Sequence, residues 1–230
     1  MSPFSRTLCR VMAQKKIRKA YQLKVTLKSI RPPVWRRVVV PGDFCLDELH
    51  WVIQFAMGWT NSHLHQFVFK APIKPPAPAA LPRMMMSDDF TALSGPAMRG
   101  ERVFTDLSTV EGIDDGEDET RVRLDLVAPT EKGKFRYDYD FGDGWQHDVL
   151  VEKITSMDPS ATYPRCFAGK RSGPPEDCGG PWGYADLLRA VADPSHERHA
   201  ELKGWLGDDF DPERFDVDAV NAKFDDVTGD

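Results

Sequence analysis

Two segments in which apolar and polar residues alternate constrain the fold of this chain most strongly. Residues 21–27 place an apolar side chain at every second position, which is the period of a strand with one buried face. The prolines at positions 32 and 33 cannot donate to a ladder, so residues 34–40 form a second strand. Residues 135–141 and 146–154 form another pair across Gly142-Asp143-Gly144, because Asp-Gly supplies the positive φ of tight turns. The pattern therefore predicts two antiparallel hairpins.

The segments around these hairpins predict one main helix and several shorter elements. Apolar residues at helical spacing over residues 46–57, followed by Gly58, predict a helix that packs on the first hairpin. Residues 63–69, 103–107 and 122–126 have strand-like patterns, whereas Pro181 and the later Asp-Pro pairs predict short helices over 182–191, over 195–202 and up to Phe224. Since strands and helices are segregated, the expected fold class is α+β: two antiparallel hairpins forming a mixed sheet around one main helix, with a C-terminal cluster of short helices.

Charge is distributed unevenly along the chain. Residues 1–42 contain eleven Lys or Arg and no acid, residues 205–230 contain nine acids and two bases, and the whole chain carries a net charge of -6. Such asymmetry either is neutralised within or between molecules or attracts a nucleic acid. For nucleic-acid binding, the expected contacts are Lys15, Lys16, Arg18, Lys19, Arg36 and Arg37.

The same patterns predict the domain organisation. Residues 1–19 have no regular period and are expected to be a basic, loosely ordered arm, in which Met12 is an alternative start to Met1. Residues 20–230 are expected to form a single domain, with a Pro-rich surface insertion at about residues 70–100.

Composition excludes several classes of protein. A chain of 230 residues with 41% hydrophobic residues can bury a full core without a disulfide or metal. It has neither a long uncharged apolar stretch nor an apolar leader, so we expect a cytoplasmic protein without a membrane partner. Its four cysteines are few and scattered, which favours reduced thiols. Phosphate-binding glycine loops, nucleophile elbows and kinase motifs are absent from the sequence.

A turn and a loop carry the polar groups that could form a site. The turn at residues 141–147 brings a carboxylate near an imidazole, and the loop at residues 163–180 is too polar to be core. These groups either serve the turn and its packing or act as an acid and base or as metal ligands. We expect the turn and loop to fold against each other around a polar hollow. The candidate polar site consists of Asp143, Trp145, His147, Glu176 and Asp177.

The thiols of the loop suggest zinc as the expected metal. Cys166 and Cys178 are eleven residues apart, unlike a zinc knuckle, and two thiolates need two further ligands. The expected ligand set is therefore Cys166, Cys178, His147 and His196, the alternative being ordinary thiols. By contrast, His63 and His65 alternate on a predicted strand and are expected to be structural.

Several motifs resemble one known family. They include RPPVWRR at residues 31–37, HLHQF at 63–67, FGDGWQH at 141–147 and PPEDCGG at 174–180. In this combination and order the chain resembles the Ri-plasmid open-reading-frame-three family, whose members are often labelled TnpR-like passenger proteins of insertion elements. The resemblance implies a compact α+β fold and a link to mobile elements, but no established catalytic residues. Many members have another cysteine just before the Pro-Pro pair, where this chain has Gly173.

Two classes of function follow from these observations. The first is a mobile-element or plasmid-associated accessory protein that binds DNA or a partner protein, with recombination implied only by the family label. The second is a metal-dependent enzyme, such as a hydrolase, that uses the turn of Asp143 and His147 and the loop from Cys166 to Cys178.

Overall fold

The computed structural model describes residues 18–70, 100–108, 116–207 and 209–228. Lys15, Lys16 and most of the expected Pro-rich insertion lie outside the described residues. Within them the elements follow in this order: β1 Lys19–Leu27, β2 Trp35–Pro41, α1 Leu46–Met57, β3 His65–Lys70, β4 Glu101–Thr105, β5 Gly116–Asp118, a 3₁₀ turn Glu119–Arg121, α2 Leu124–Val127, β6 Lys134–Tyr139, β7 Trp145–Ser156, β8 Arg165–Lys170, α3 Gly180–Ala192, α4 His199–Leu206 and α5 Val217–Thr228.

The eight described strands form one mixed sheet in the order β5-β4-β3-β6-β7-β1-β2-β8. Both predicted hairpins are confirmed, as β1–β2 and β6–β7, and β7 pairs with β1 to join them at the centre of the sheet. All neighbouring strands are antiparallel except β4 and β5, which are parallel. The α+β class is confirmed, although the sheet extends beyond the two hairpins on both sides.

The main helix α1 has the bounds that its apolar spacing predicts. One stripe of the helix, which includes Leu46, Leu49 and Ile53, is fully buried. The helix ends at Gly58, which has φ 89° and donates its N–H to the carbonyl of Gln54. α1 lies against β2, the 3₁₀ turn and α5, so the core lies between the sheet and these elements. None of the described helices is both long and apolar enough to span a bilayer.

Two expected elements were wrong in detail. No strand forms over residues 122–126; the short helix α2 begins at Leu124 instead, and Leu124 is buried while Leu126 is 68% exposed, so the two do not share a strand face. The segment expected to be only a loop contains β8, an edge strand whose mostly exposed or half-buried residues hide the strand pattern. β8 pairs with β2, and the N–H of Cys166 donates to the side chain of Asn221 in α5.

We expect Leu46→Ala to lower the free energy of unfolding by about 2–5 kcal/mol, because it leaves a cavity beneath α1. Leu126→Ala is the matched control, since this leucine is 68% exposed, and should change the free energy by less than about 0.5 kcal/mol. Urea titration of both variants measures the difference. Equal effects would contradict the assignment of α1 to the core.

Candidate metal site

The turn between β6 and β7 lies directly against the loop that follows β8. The carboxylate of Asp143 accepts the N–H of Gly179 at 3.2 Å. Gly180 has φ 67°, and a Cβ on it would lie 2.2 Å from the carbonyl oxygen of Asp143. Only glycine permits this approach without displacing the backbone. The two segments that the sequence analysis placed together are therefore in contact.

Asp140 begins the turn and is oriented by backbone donors. Its Oδ1 accepts the N–H groups of Gly142 and Asp143, at 3.0 and 3.2 Å. Its own N–H donates to the carbonyl of Leu64, which lies just before β3. The side chain is 8% exposed, and its Oδ2 lies 3.6 Å from Nε2 of His63. The turn thus holds one buried carboxylate oxygen toward the histidine.

His63, Asp140 and Asp177 form a three-residue cluster. Nε2 of His63 lies 3.1 Å from Oδ1 of Asp177, and the three potential ligand atoms all lie within 4.8 Å of one another. Although this Nε2 is within ion-pair distance of both acids, it is buried and makes no hydrogen bond. One imidazole and two carboxylates are a donor set that divalent transition metals accept.

Glu176 is held beside the cluster and does not belong to it. One carboxylate oxygen accepts the hydroxyl of Tyr139, and the other accepts the hydroxyl and N–H of Thr60. The hydroxyl of Tyr139 also accepts the N–H of Ser62. Burial raises the pKa of Glu176, but the hydrogen bonds from Thr60 and Tyr139 outweigh it and hold the pKa below its ordinary value. These bonds occupy Glu176 and position the loop that carries Asp177.

The cluster borders a hollow that opens to solvent. This hollow has a volume of about 360 Å³, and the side chain of Asp177 is 72% exposed. Of the three cluster residues, His63 lines the hollow and Asp177 is exposed to solvent, whereas Asp140 is buried. The hollow is lined by Asn61, Ser62, His63, Leu64, His65 and Asp106.

A buried polar network lies behind the hollow. The ring of His65 stacks on that of His50 with centroids 3.5 Å apart, and its Nε2 lies 2.9 and 3.0 Å from the two carboxylate oxygens of buried Glu119. Burial lowers the pKa of His50 to about 3, so its imidazole is neutral. Nδ1 of His50 can then accept the hydroxyl of Tyr137, while Nε2 donates to Asn61.

One other described grouping of potential ligands is explained by helix capping. Cys45, Asp47 and Glu48 lie at the start of α1. The carboxylate of Glu48 accepts the N–H of Cys45 at 2.7 Å, the reciprocal contact of a capping box.

The structure does not bring the four expected zinc ligands together. No three of Cys166, Cys178, His147 and His196, all of which it describes, place ligand atoms within 4.8 Å of one another. Cys166 is buried in β8, where burial raises its pKa, and burial raises the pKa of Cys178 to about 12. Both thiols are therefore protonated at neutral pH. His196 is in the turn before α4, where its Nδ1 accepts the N–H of Arg198.

The candidate polar site divides between the surface and the core. Asp143 lies in the turn and accepts the N–H of Gly179 in the loop that carries Glu176 and Asp177, whose partners are Tyr139 and His63. Trp145 and His147 are 1% and 0% exposed on β7, so neither reaches the hollow. Asp140 was not predicted as a site residue, and His63 was predicted to be structural. The signal for Asp140 was its place two residues before Gly142, where an aspartate caps a turn.

The expected nucleic-acid contacts are mostly engaged elsewhere. Arg18 and Arg37 form two-bond pairs with Asp43 and Glu152. Arg36 is 1% exposed and donates to the carbonyl of Ala56 at 2.6 Å, so its guanidinium lies in the interior rather than on the surface. Arg18 and Lys19, at the start of β1, are both exposed, Arg18 beside its pair with Asp43.

We expect His147→Asn to reduce the acid sensitivity of the protein. Burial lowers the pKa of His147 to about 3, whereas an unfolded histidine titrates near 6.5. The unfolded state therefore binds more protons between these values, and stability falls as pH falls from about 6.5 toward 3. Between pH 6.5 and 4.5 the wild type should lose about 2 kcal/mol more than the variant. Urea titrations at several pH values measure this, and superimposable profiles would contradict it.

Comparison with known proteins agrees with the architecture. Residues 19–219 match the family described as plasmid pRiA4b ORF-3-like protein. The chain is 38% identical over 208 residues to the uncharacterized protein y4hQ of Sinorhizobium fredii, covering 90% of this chain and 91% of that protein. It also resembles the crystal structure of a protein of unknown function, MM3350 from Methanosarcina mazei, at 35% identity and a TM-score of 0.70, covering 88% and 97% of the two chains. The chain therefore belongs to the plasmid pRiA4b ORF-3-like family.

Proposed function

We propose that the protein binds a divalent metal ion, zinc in particular, through His63, Asp140 and Asp177, and uses it in a hydrolytic reaction. The observation that carries this proposal is the buried Nε2 of His63, which makes no hydrogen bond yet faces two carboxylate oxygens. Imidazole and carboxylate are both ordinary zinc ligands. Zinc is therefore still the proposed metal, but its proposed ligands are not Cys166, Cys178, His147 and His196.

Electrostatics favours a cation at this position. Two carboxylates held close together repel each other, and the effect is stronger where burial lowers the effective dielectric constant. The side chain of Asp140 is only 8% exposed, so bulk water screens its charge poorly. A divalent ion compensates both charges. The competing interpretation is that protonated His63 alone compensates them, as an ordinary ion pair.

The chemistry of such a centre follows from its open side. Three protein ligands leave a tetrahedral zinc one position for water, whose pKa falls toward neutrality on binding. The hollow is lined by His63, and the exposed Asp177 leaves the cluster open to solvent on its other side, so a substrate would approach from either. Glu176, held by Tyr139 and Thr60, keeps Asp177 in place and does not contact the reacting atoms. The reaction class is metal-assisted hydrolysis.

Calorimetric titration of Zn²⁺ into chelator-treated protein without a histidine tag tests the metal site. We expect one ion per chain, with affinity lowered at least tenfold in His63→Gln and in Asp177→Asn, since each removes a ligand. His196→Gln and Cys178→Ala are matched controls from the thiol-based set and should bind as the wild type does. If Zn²⁺ does not bind, His63 forms an ordinary ion pair with the two acids. If only the two control variants lose Zn²⁺ binding, the metal is held by the thiol-based ligands instead. Either result would overturn the proposal.

Hydrolysis is tested separately with p-nitrophenyl phosphate and p-nitrophenyl acetate. We expect Zn²⁺-dependent turnover of at least one of them that Asp177→Asn abolishes. Turnover that persists in the variant would place the chemistry elsewhere. Metal binding without turnover would restrict the function to binding.

A second candidate function is that of a mobile-element accessory protein that binds DNA or a partner protein. The plasmid association of the family supports it, as does Trp182, which is 89% exposed in the first turn of α3. Phosphate contacts make DNA binding steeply dependent on salt. A mobility-shift assay at micromolar protein should then show a complex that weakens as salt rises. Absence of a salt-sensitive shift with duplex and single-stranded DNA would remove DNA as the partner.

A further inference from the structure

A cavity separate from the metal site lies between the end of α1, the loop after β8, and α4 and α5. Its volume is about 510 Å³, within the range of small-molecule sites. Most of its lining is apolar, with several aromatic rings. These apolar lining residues include Phe55, Met57, Pro174, Trp205, Phe210 and Phe215.

The charged groups of this cavity are mainly cationic. Arg36, Arg214 and Lys223 line it, with Asp216 as the one carboxylate in the lining. Asp216 lies 3.7 Å from Arg214, and its other oxygen accepts the N–H of Ala219 at the start of α5. Residues 205–230 contain nine acids and two bases, and both bases line this cavity. The C-terminal region is acidic as a whole, but its two basic side chains both face this cavity.

Arg36 contributes a buried positive charge to the cavity wall. Its guanidinium donates to the carbonyls of Trp35, Ala56 and Lys170, and the ring of Phe215 lies 4.1 Å from its Cζ. No carboxylate of the described residues lies within ion-pair distance of it. The negative end of the α1 dipole compensates part of the charge. Burial nonetheless lowers the pKa of Arg36 to about 10, as expected where a buried cation lacks a full counter-charge.

We propose that this cavity binds a small organic acid, an aromatic or aliphatic body that carries a single carboxylate or sulfonate. The body lies among Phe55, Trp205 and Phe210, and the acid group pairs with Lys223 and Arg214 at the opening. Cationic groups beside an apolar wall select such a molecule, since a neutral analogue gains only the burial and a small inorganic anion gains only the charge pairing. The proposal uses none of the metal-site residues.

Fluorescence titration with 8-anilinonaphthalene-1-sulfonate tests the proposal, with N-phenyl-1-naphthylamine as the neutral analogue of the same body. We expect saturable binding of one sulfonate dye per chain, at least tenfold tighter than the neutral dye. The double variant R214Q/K223Q should weaken binding of the sulfonate dye about tenfold and leave the neutral dye unaffected. Lys203→Gln, an exposed change on α4 outside the lining, is the matched control.

A second variant tests whether both dyes bind in this cavity. Ala219 lines the cavity and is exposed to solvent, so Ala219→Phe should fill space without disturbing the core. It should weaken both dyes, and circular dichroism checks that the fold is retained. Equal affinity for the two dyes, no effect of R214Q/K223Q, or unchanged binding in the folded Ala219→Phe variant would each overturn the proposal.

Discussion

The approach of Gly180 to the backbone of Asp143 determines how the site is assembled. At this point the loop after β8 packs against the turn between β6 and β7, so closely that any side chain at residue 180 would clash with the carbonyl oxygen of Asp143. Asp177 lies three residues before this contact and Asp140 three residues before Asp143, so both carboxylates are carried to the same place. The hydrogen bond from Asp140 to the carbonyl of Leu64 adds the segment of His63. Three distant parts of the chain thereby meet at one point.

The central part of the fold could be predicted from sequence because it depends on local patterns. The alternation in residues 21–27 and the Asp-Gly turn specify the two hairpins, and Gly58 specifies the end of α1. β8 could not be found this way, because an edge strand with exposed side chains lacks a clear alternation. Its position depends on pairing with β2 and on the bond from Cys166 to Asn221, which are contacts between distant residues.

The site was predictable only in part, for the same reason. The polar character of the turn and loop indicated that they meet, and Asp177 belongs to both the predicted and the observed groups. The spacing of the thiols did not reveal that Cys166 is buried in β8 and Cys178 partly buried, with no three of the four expected ligands within 4.8 Å of one another. Gly173 has no space for a side chain, since a Cβ would lie 2.0 Å from the carbonyl oxygen of Met57.

The proposed zinc site is tested most directly by anomalous diffraction from crystals grown with Zn²⁺ and recorded on both sides of the zinc absorption edge. We expect one strong anomalous peak per chain, within ligand distance of Nε2 of His63 and of one oxygen each from Asp140 and Asp177. A peak between the two thiols, or no peak at a zinc concentration that saturates the protein in solution, would contradict it.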